Sequence, residues 1–156
     1  MAKRERRVIG WREWVELPDL LAMPIKAKID SGARTSSLHS FGTRRFSEGG
    51  APWVEFLLHP LQRQARPEIA CRAAIKDERV VRSSNGEAEM RIVVETLARL
   101  GDTQWPIELT LAARDVMGFR MLLGREAIRR RFLIDPARSF RQSTRPGQPP
   151  KKKKPK

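Results

Sequence analysis

"KAKIDSGARTSSLHS", residues 26–40, is the stretch on which the reading of the whole chain turns. Ile25, Ala27 and Ile29 alternate with Lys26 and Lys28, the period of two that marks a half-buried strand. That strand delivers Asp30 at its end, followed at once by Ser31, Gly32 and Ala33. A turn accounts for the serine and the glycine, because glycine frees the backbone and short polar side chains bond nearby amides. It does not by itself account for an acid placed where the backbone is still extended. Two readings stand: an Asx-turn carboxylate that only bonds neighbouring amides, or an acid presented at a strand end for chemistry.

Outward from this stretch the signals are mostly those of strands. "VIGWREWVELPDL" (8–20) predicts a first strand stopped by Pro18-Asp19, and "PWVEFLLHP" (52–60) a strand stopped by Pro60. "SLHSFGTRRFSEG" (37–49) reads as a strand with a loop, and "EIACRAAIKDERVVRSS" (68–84) as one or two strands. Asn85-Gly86 between extended runs is a hairpin signal, since both turn residues must accept positive φ. Gly101-Asp102 marks a second reversal, between "MRIVVETLARL" and "WPIELTLA". Residues 88–100 are rich in helix formers, yet Val93, Val94, Thr96 and the flanking turns favour a strand. Only "GREAIRRRF" (124–132) predicts a helix. Many short strands with one late helix imply an all-β barrel or sandwich, and no internal repeat is visible.

The chain has 156 residues, enough for one domain with a modest core. No apolar run approaches bilayer length, and "MAKRERRVIG" lacks the apolar centre of a signal peptide, so a cytoplasmic enzyme or binding module is expected. Cys71 is the only cysteine, which excludes an intrachain disulfide and a cysteine-based zinc site. Of the net charge of +14, most lies at the ends: a basic leader over 1–7 and a Pro/Lys-rich tail over 138–156. Both are expected to be disordered, flanking a domain over 8–137. The tail suits weak contact with RNA or another polyanion, or serves only solubility.

Two segments belong together chemically. In one an apolar strand delivers Asp30; in the other, "FRMLLGREAI" (119–128), Met121, Leu122 and Leu123 run into Gly124 and a short helix. Acid-Ser-Gly-Ala, a central hairpin, then apolar-apolar-Gly-Arg and a helix resembles the layout of retropepsin-like aspartic proteases. "GWREWVELP", "KAKIDSGARTSSLH", "RSSNGE" and "RDVMGFRMLLGREAI" together look more closely like the bacterial family labelled ATP-dependent zinc proteases, over roughly residues 8–137. The resemblance implies a small retropepsin-like closed barrel with a flap hairpin and one short C-terminal helix. It implies that Asp30 holds the catalytic water, Ser31 braces the turn through its hydroxyl, and Gly32 lets backbone and substrate pass closely. Leu122, Leu123 and Gly124 would form the floor under the acid loop, and Asn85-Gly86 the flap tip. It further implies an association with glutamate ligases and trimming of glutamate tails from a ribosomal protein.

Hydrolysis by carboxylates needs two of them sharing a proton, one to activate water and one to protonate the carbonyl. The chain supplies one Asp-Ser-Gly. A homodimer would bring two copies of Asp30 together; otherwise Glu126, Glu87 or Asp115 completes the site within one chain. No cofactor is expected. The two histidines, His39 and His59, form no zinc-hydrolase motif, although Asp30 and His39 could share a metal, and there is no phosphate-binding Gly-rich loop. Arg34, Arg82, Arg91, Arg114, Arg120 and Arg125 lie near the motifs and suit an acidic peptide, because a guanidinium binds carboxylates bidentately. Arg34, Thr35, His39, Asn85, Gly86, Arg91 and Arg120 are the candidate substrate contacts. The competing function is a non-catalytic module that binds acidic protein tails or RNA. Trp11, Trp14, Trp53 and Trp105 could stack on bases, though tryptophans in a small β domain usually serve the core.

Overall fold

The structure, a computed structural model, describes residues 5–62, 64–82, 85–113 and 118–146. Alternating side chains drive most of it into strands: β1 (Arg7–Gly10), β2 (Arg12–Val15), β3 (Ile25–Asp30), β4 (Ser36–His39), β5 (Phe41–Glu48), β6 (Ala51–Leu58), β7 (Ile69–Arg82), β8 (Ala88–Leu100), β9 (Thr103–Ala112), β10 (Met121–Gly124) and β11 (Phe132–Asp135). The one helix, α1, is Arg125–Ile128. In β3 the burial alternates strictly, with Ile25, Ala27 and Ile29 inward and the two lysines outward. The residues with helix-forming side chains over 88–100 form β8, since Val93, Val94, Thr96 and Ala98 are buried between neighbouring strands.

Nine strands form one sheet in the order β2-β3-β10-β4-β9-β8-β7-β6-β5, and β1 pairs in parallel with β11 in a separate ribbon. The fold is all-β, but the sheet does not close into the expected barrel. It curls until Glu16 and Arg99 exchange backbone hydrogen bonds of 2.9 and 2.8 Å, a single bridge rather than a ladder. One core underlies the curl, with Ile9, Leu17, Ile25, Leu38, Phe56, Leu58, Leu109 and Leu123 almost wholly excluded from solvent. Each such side chain contributes about 1.5–3 kcal/mol of burial.

Local details differ from the sequence reading. Residues 8–20 form two strands rather than one, because Gly10 passes so close to the backbone of Arg138 and Ser139 that β1 leaves the main sheet for β11. Residues 37–49 are likewise split into β4 and β5, and 69–82 is one strand with an irregularity between Ile75 and Asp77. The flap hairpin is β7–β8, whose last pair is Arg82 with Ala88, so Asn85 and Gly86 lie in the connection between the two strands. The helix stops at Ile128 instead of running to 132, because Arg130 adopts φ 70° and Phe132 is buried against Trp105 at 5.1 Å between ring centres.

Residues beyond 137 also make contacts with the first two strands. Glu13 is fully buried, and its carboxylate accepts hydrogen bonds from the amides of Gly10 (2.7 Å), Arg141 (2.8 Å) and Gln142 (3.1 Å) and from the Ser143 hydroxyl (2.7 Å). A charged acceptor that gathers so many donors fixes residues 138–143 onto β1 and β2; residues 147–156 lie outside the described residues. Among the described residues no helix is long and apolar enough to cross a membrane.

Candidate functional site

The placement of β10 creates the site. This strand inserts between β3 and β4, parallel to the first and antiparallel to the second, and its register sets Gly124 beside Asp30. The chain leaving β3 therefore loops over the end of β10 before it returns as β4. A side chain at 124 would meet Thr35 O at 2.5 Å, Thr35 C at 2.6 Å and Ala33 O at 2.9 Å, so only glycine lets the loop sit so low. The loop is pinned from three sides. The Arg125 amide donates to Ala33 O (2.7 Å), the Glu126 amide to Arg34 O (3.1 Å), and the Gly124 amide to the Ser36 hydroxyl (3.0 Å). Thr110 adds a hydroxyl bond of 3.2 Å to Ser36 O from β9.

Asp30 is thus held at a strand end with its carboxylate at the wall of an open groove of about 1400 Å³. Its Oδ1 accepts a hydrogen bond of 2.9 Å from the Gly32 amide, so the Asx-turn anticipated as the bland alternative is present. It occupies one oxygen and leaves the carboxylate facing the groove. Ser31 is exposed and its hydroxyl makes no hydrogen bond among the described residues; its carbonyl accepts from the Arg125 guanidinium (3.3 Å). The hydroxyl that braces the turn is that of buried Ser36. Leu122 contributes to the groove floor.

Along the rest of the groove the sequence candidates divide. Arg34, Thr35, Arg82 and Arg91 line it, as does Glu126. His39 and Arg120 do not: the His39 amide bonds Arg120 O (2.7 Å) at the far end of β4, three residues from Ser36 and about 10 Å along the strand. Arg120 is instead directed at the carbonyls of Leu61 (3.4 Å) and Gln64 (3.3 Å). Asn85 and Gly86 sit at the flap turn, where Gly86 has φ 86° and Asn85 Oδ1 accepts from the Glu87 amide (3.1 Å). Arg125 reaches Ser31, while Arg114 and Asp115 lie outside the described residues. Trp105 is buried, donating to Ala127 O (3.1 Å) beneath the groove. Trp14 is also nearly buried, and Trp11 and Trp53 are half-exposed. Among the described residues no three His, Cys, Asp or Glu side chains converge as a metal cage would require.

Sequence reasoning missed Arg79 and Arg129, which the hairpin and α1 bring to the same groove. Arg79 is fastened by Asp77 (2.9 Å) and Glu108 (2.8 Å), and these acids hold its guanidinium above its usual pKa. Asp77 is correspondingly lowered, chiefly by its hydrogen bond from Arg79. Val80 and Met90 face each other across the hairpin and are each 60% exposed, an apolar pair on the flap beside the groove.

Comparison with known proteins places this geometry. Residues 8–145 match the RimB-like family model, described as retropepsin-like aspartic endopeptidase RimB. The chain is similar to a protein of Shewanella pealeana named probable alpha-L-glutamate ligase, 48% identical over 133 residues, covering 85% of this chain and 29% of the relative. A protein of the same name from Desulfotalea psychrophila is 46% identical over 132 residues, covering 85% and 28%. The chain therefore spans less than a third of the length of these curated relatives. A crystal structure of a Legionella pneumophila protein of unknown function has the same fold, with a TM-score of 0.74 at 24% identity, covering 89% of this chain and 100% of that one.

Proposed function

Because the chain belongs to the RimB-like family of retropepsin-like aspartic endopeptidases, we propose that it hydrolyses acidic, polyglutamate peptide tails through a water activated by Asp30. The observation that carries this reading is Asp30 itself, set at a strand end over Gly124 with its carboxylate open to a groove wide enough for a peptide. Arginines along that groove supply the complement to an acidic chain, since exposed guanidiniums attract and orient carboxylates. The relatives named for glutamate ligation make a glutamate-bearing substrate the natural class, and a glutamate tail on a ribosomal protein the favoured occupant.

The chemistry requires a second carboxylate. A homodimer supplies it as the Asp30 of the second copy; the other acids that line the groove are taken up by ion pairs, Glu126 with Arg34 and Arg129, Glu95 with Lys76, and Glu108 with Arg79. Two carboxylates that face each other share one proton, because both cannot ionise at close range. The ionised one takes a proton from water as its oxygen adds to the amide carbon; the protonated one gives its proton to the carbonyl oxygen. Collapse of the tetrahedral intermediate breaks the C–N bond and passes a proton to the leaving amine. A polyglutamate chain brings further negative charge beside this pair, which repels it. Arginines in the groove must offset the same repulsion for binding to occur.

The test is incubation of the purified chain, with and without Asp30→Asn, with a glutamate-tailed peptide and analysis of products by mass. Cleavage that is lost in the variant supports the peptidase. Tight binding without cleavage by either protein refutes it and leaves a module that recognises acidic tails.

A further inference from the structure

Glu126 lies in the groove with Asp30, between two of its arginines. One oxygen is 3.5 Å from Arg34 Nε and the other 3.0 Å from Arg129 Nη2, so a single carboxylate is shared by guanidiniums from the acid loop and from the end of α1. All three side chains are reached by solvent, with exposures of 77% for Arg34, 42% for Glu126 and 57% for Arg129. Ion pairs of this kind are weak and exchangeable. Arg79 differs, since it is half-buried and fastened by two acids at hydrogen-bond distance.

Two guanidiniums poised around one exchangeable carboxylate form a receptor for any other carboxylate of the same reach. We propose that Arg34 and Arg129 form an acid-binding subsite whose internal occupant, Glu126, is displaced by a glutamate side chain of the bound peptide. The inference rests on the acidic substrate of the proposed function and not on the chemistry at Asp30. The subsite is fixed to the acid loop itself, because the Glu126 amide donates to Arg34 O (3.1 Å) and the Arg125 amide to Ala33 O (2.7 Å), while the Arg129 amide closes α1 on Arg125 O (2.9 Å). The side chain it captures therefore lies close to the scissile bond. Glu126 also acts as a specificity filter: an acidic peptide replaces the ion pairs it breaks, and a neutral peptide does not.

The test is fluorescence anisotropy with labelled tetraglutamate and tetraglutamine peptides, measured in the Asp30→Asn background so that nothing is hydrolysed. Glu126→Gln is expected to raise the ratio of glutamate to glutamine affinity by about threefold to fivefold, and Arg129→Gln to lower it by a similar factor. Both changes should shrink in about 0.5 M salt, where exposed charges are screened. A ratio unmoved by either substitution overturns the subsite, as does failure of both peptides to bind. A ratio that responds, with a wild-type chain that never cleaves, upholds the subsite and refutes the peptidase.

Discussion

Gly124→Ala is the substitution that most sharply tests how the acid loop is seated. The added methyl would lie 2.5 Å from Thr35 O, 2.6 Å from Thr35 C and 2.9 Å from Ala33 O. All three are backbone atoms, so no side chain can swing aside, and the loop must lift by about 1 Å to restore ordinary contact. Overpacking of this kind costs about 1–3 kcal/mol, which for a chain of this size lowers Tm by about 3–10 °C. Lifting the loop also stretches the bonds from the Arg125 amide to Ala33 O and from the Glu126 amide to Arg34 O, now 2.7 and 3.1 Å. These bonds position the backbone that carries Asp30, and a displacement of about 1 Å in a reacting group costs on the order of 100-fold in rate. The assay pairs a thermal melt with the cleavage rate at a temperature well below both midpoints. The expected result is a modest loss of Tm with a far larger loss of rate. An unchanged melt and an unchanged rate would refute the claim that glycine is needed at 124 to seat the acid.

Two further predictions concern the frame around the site. Glu13→Ala should destabilise the fold by about 3 kcal/mol or more, read by chemical denaturation, because it strands the amides of Gly10, Arg141 and Gln142; a loss below about 1 kcal/mol would show that residues 138–143 are not fastened there. Burial pushes the Cys71 thiol up to about 11 from 9.0, so the folded chain should resist iodoacetamide at pH 8 while the unfolded chain reacts. The folded state keeps this proton where the unfolded state loses it, so stability from Cys71 is complete below about pH 9 and declines as pH rises toward 11. Replacing Cys71 with Ala should flatten that decline, and an unchanged slope would contradict it.

Much of this fold is written locally. β3 and β6 alternate so regularly that their faces can be assigned from sequence, and β8 is separable from a helix by its β-branched residues. β11 carries no such signal. Four residues after a helical run have no period to read, and the partner that makes them a strand is β1, at the other end of the chain. Glu13 is hidden for the same reason: an acid in an alternating strand looks solvated, and all its partners but the Gly10 amide lie 128–130 residues away. At the site, Asp30 and Gly124 are legible because each ends an apolar run, which is where open sheet architectures expose residues for chemistry. Ser36 is not, since three hydroxyl residues in a row (Thr35, Ser36 and Ser37) cannot be told apart until the register of β4 against β10 is known. Arg79 and Arg129 reach the groove only through the hairpin and α1, so nothing near them in the chain announces it. His39 and Arg120 stand near the motifs in sequence but at the wrong ends of their strands.

The central claim is that hydrolysis depends on Asp30 supplied twice, once by each of two chains. Wild-type and Asp30→Asn chains mixed at fixed total concentration, refolded together and assayed on a glutamate-tailed peptide test it directly. If every hybrid is silent, activity falls as the square of the wild-type fraction, to about a quarter at equal mixing. Activity linear in that fraction, or no hydrolysis by the wild-type chain alone, would contradict it.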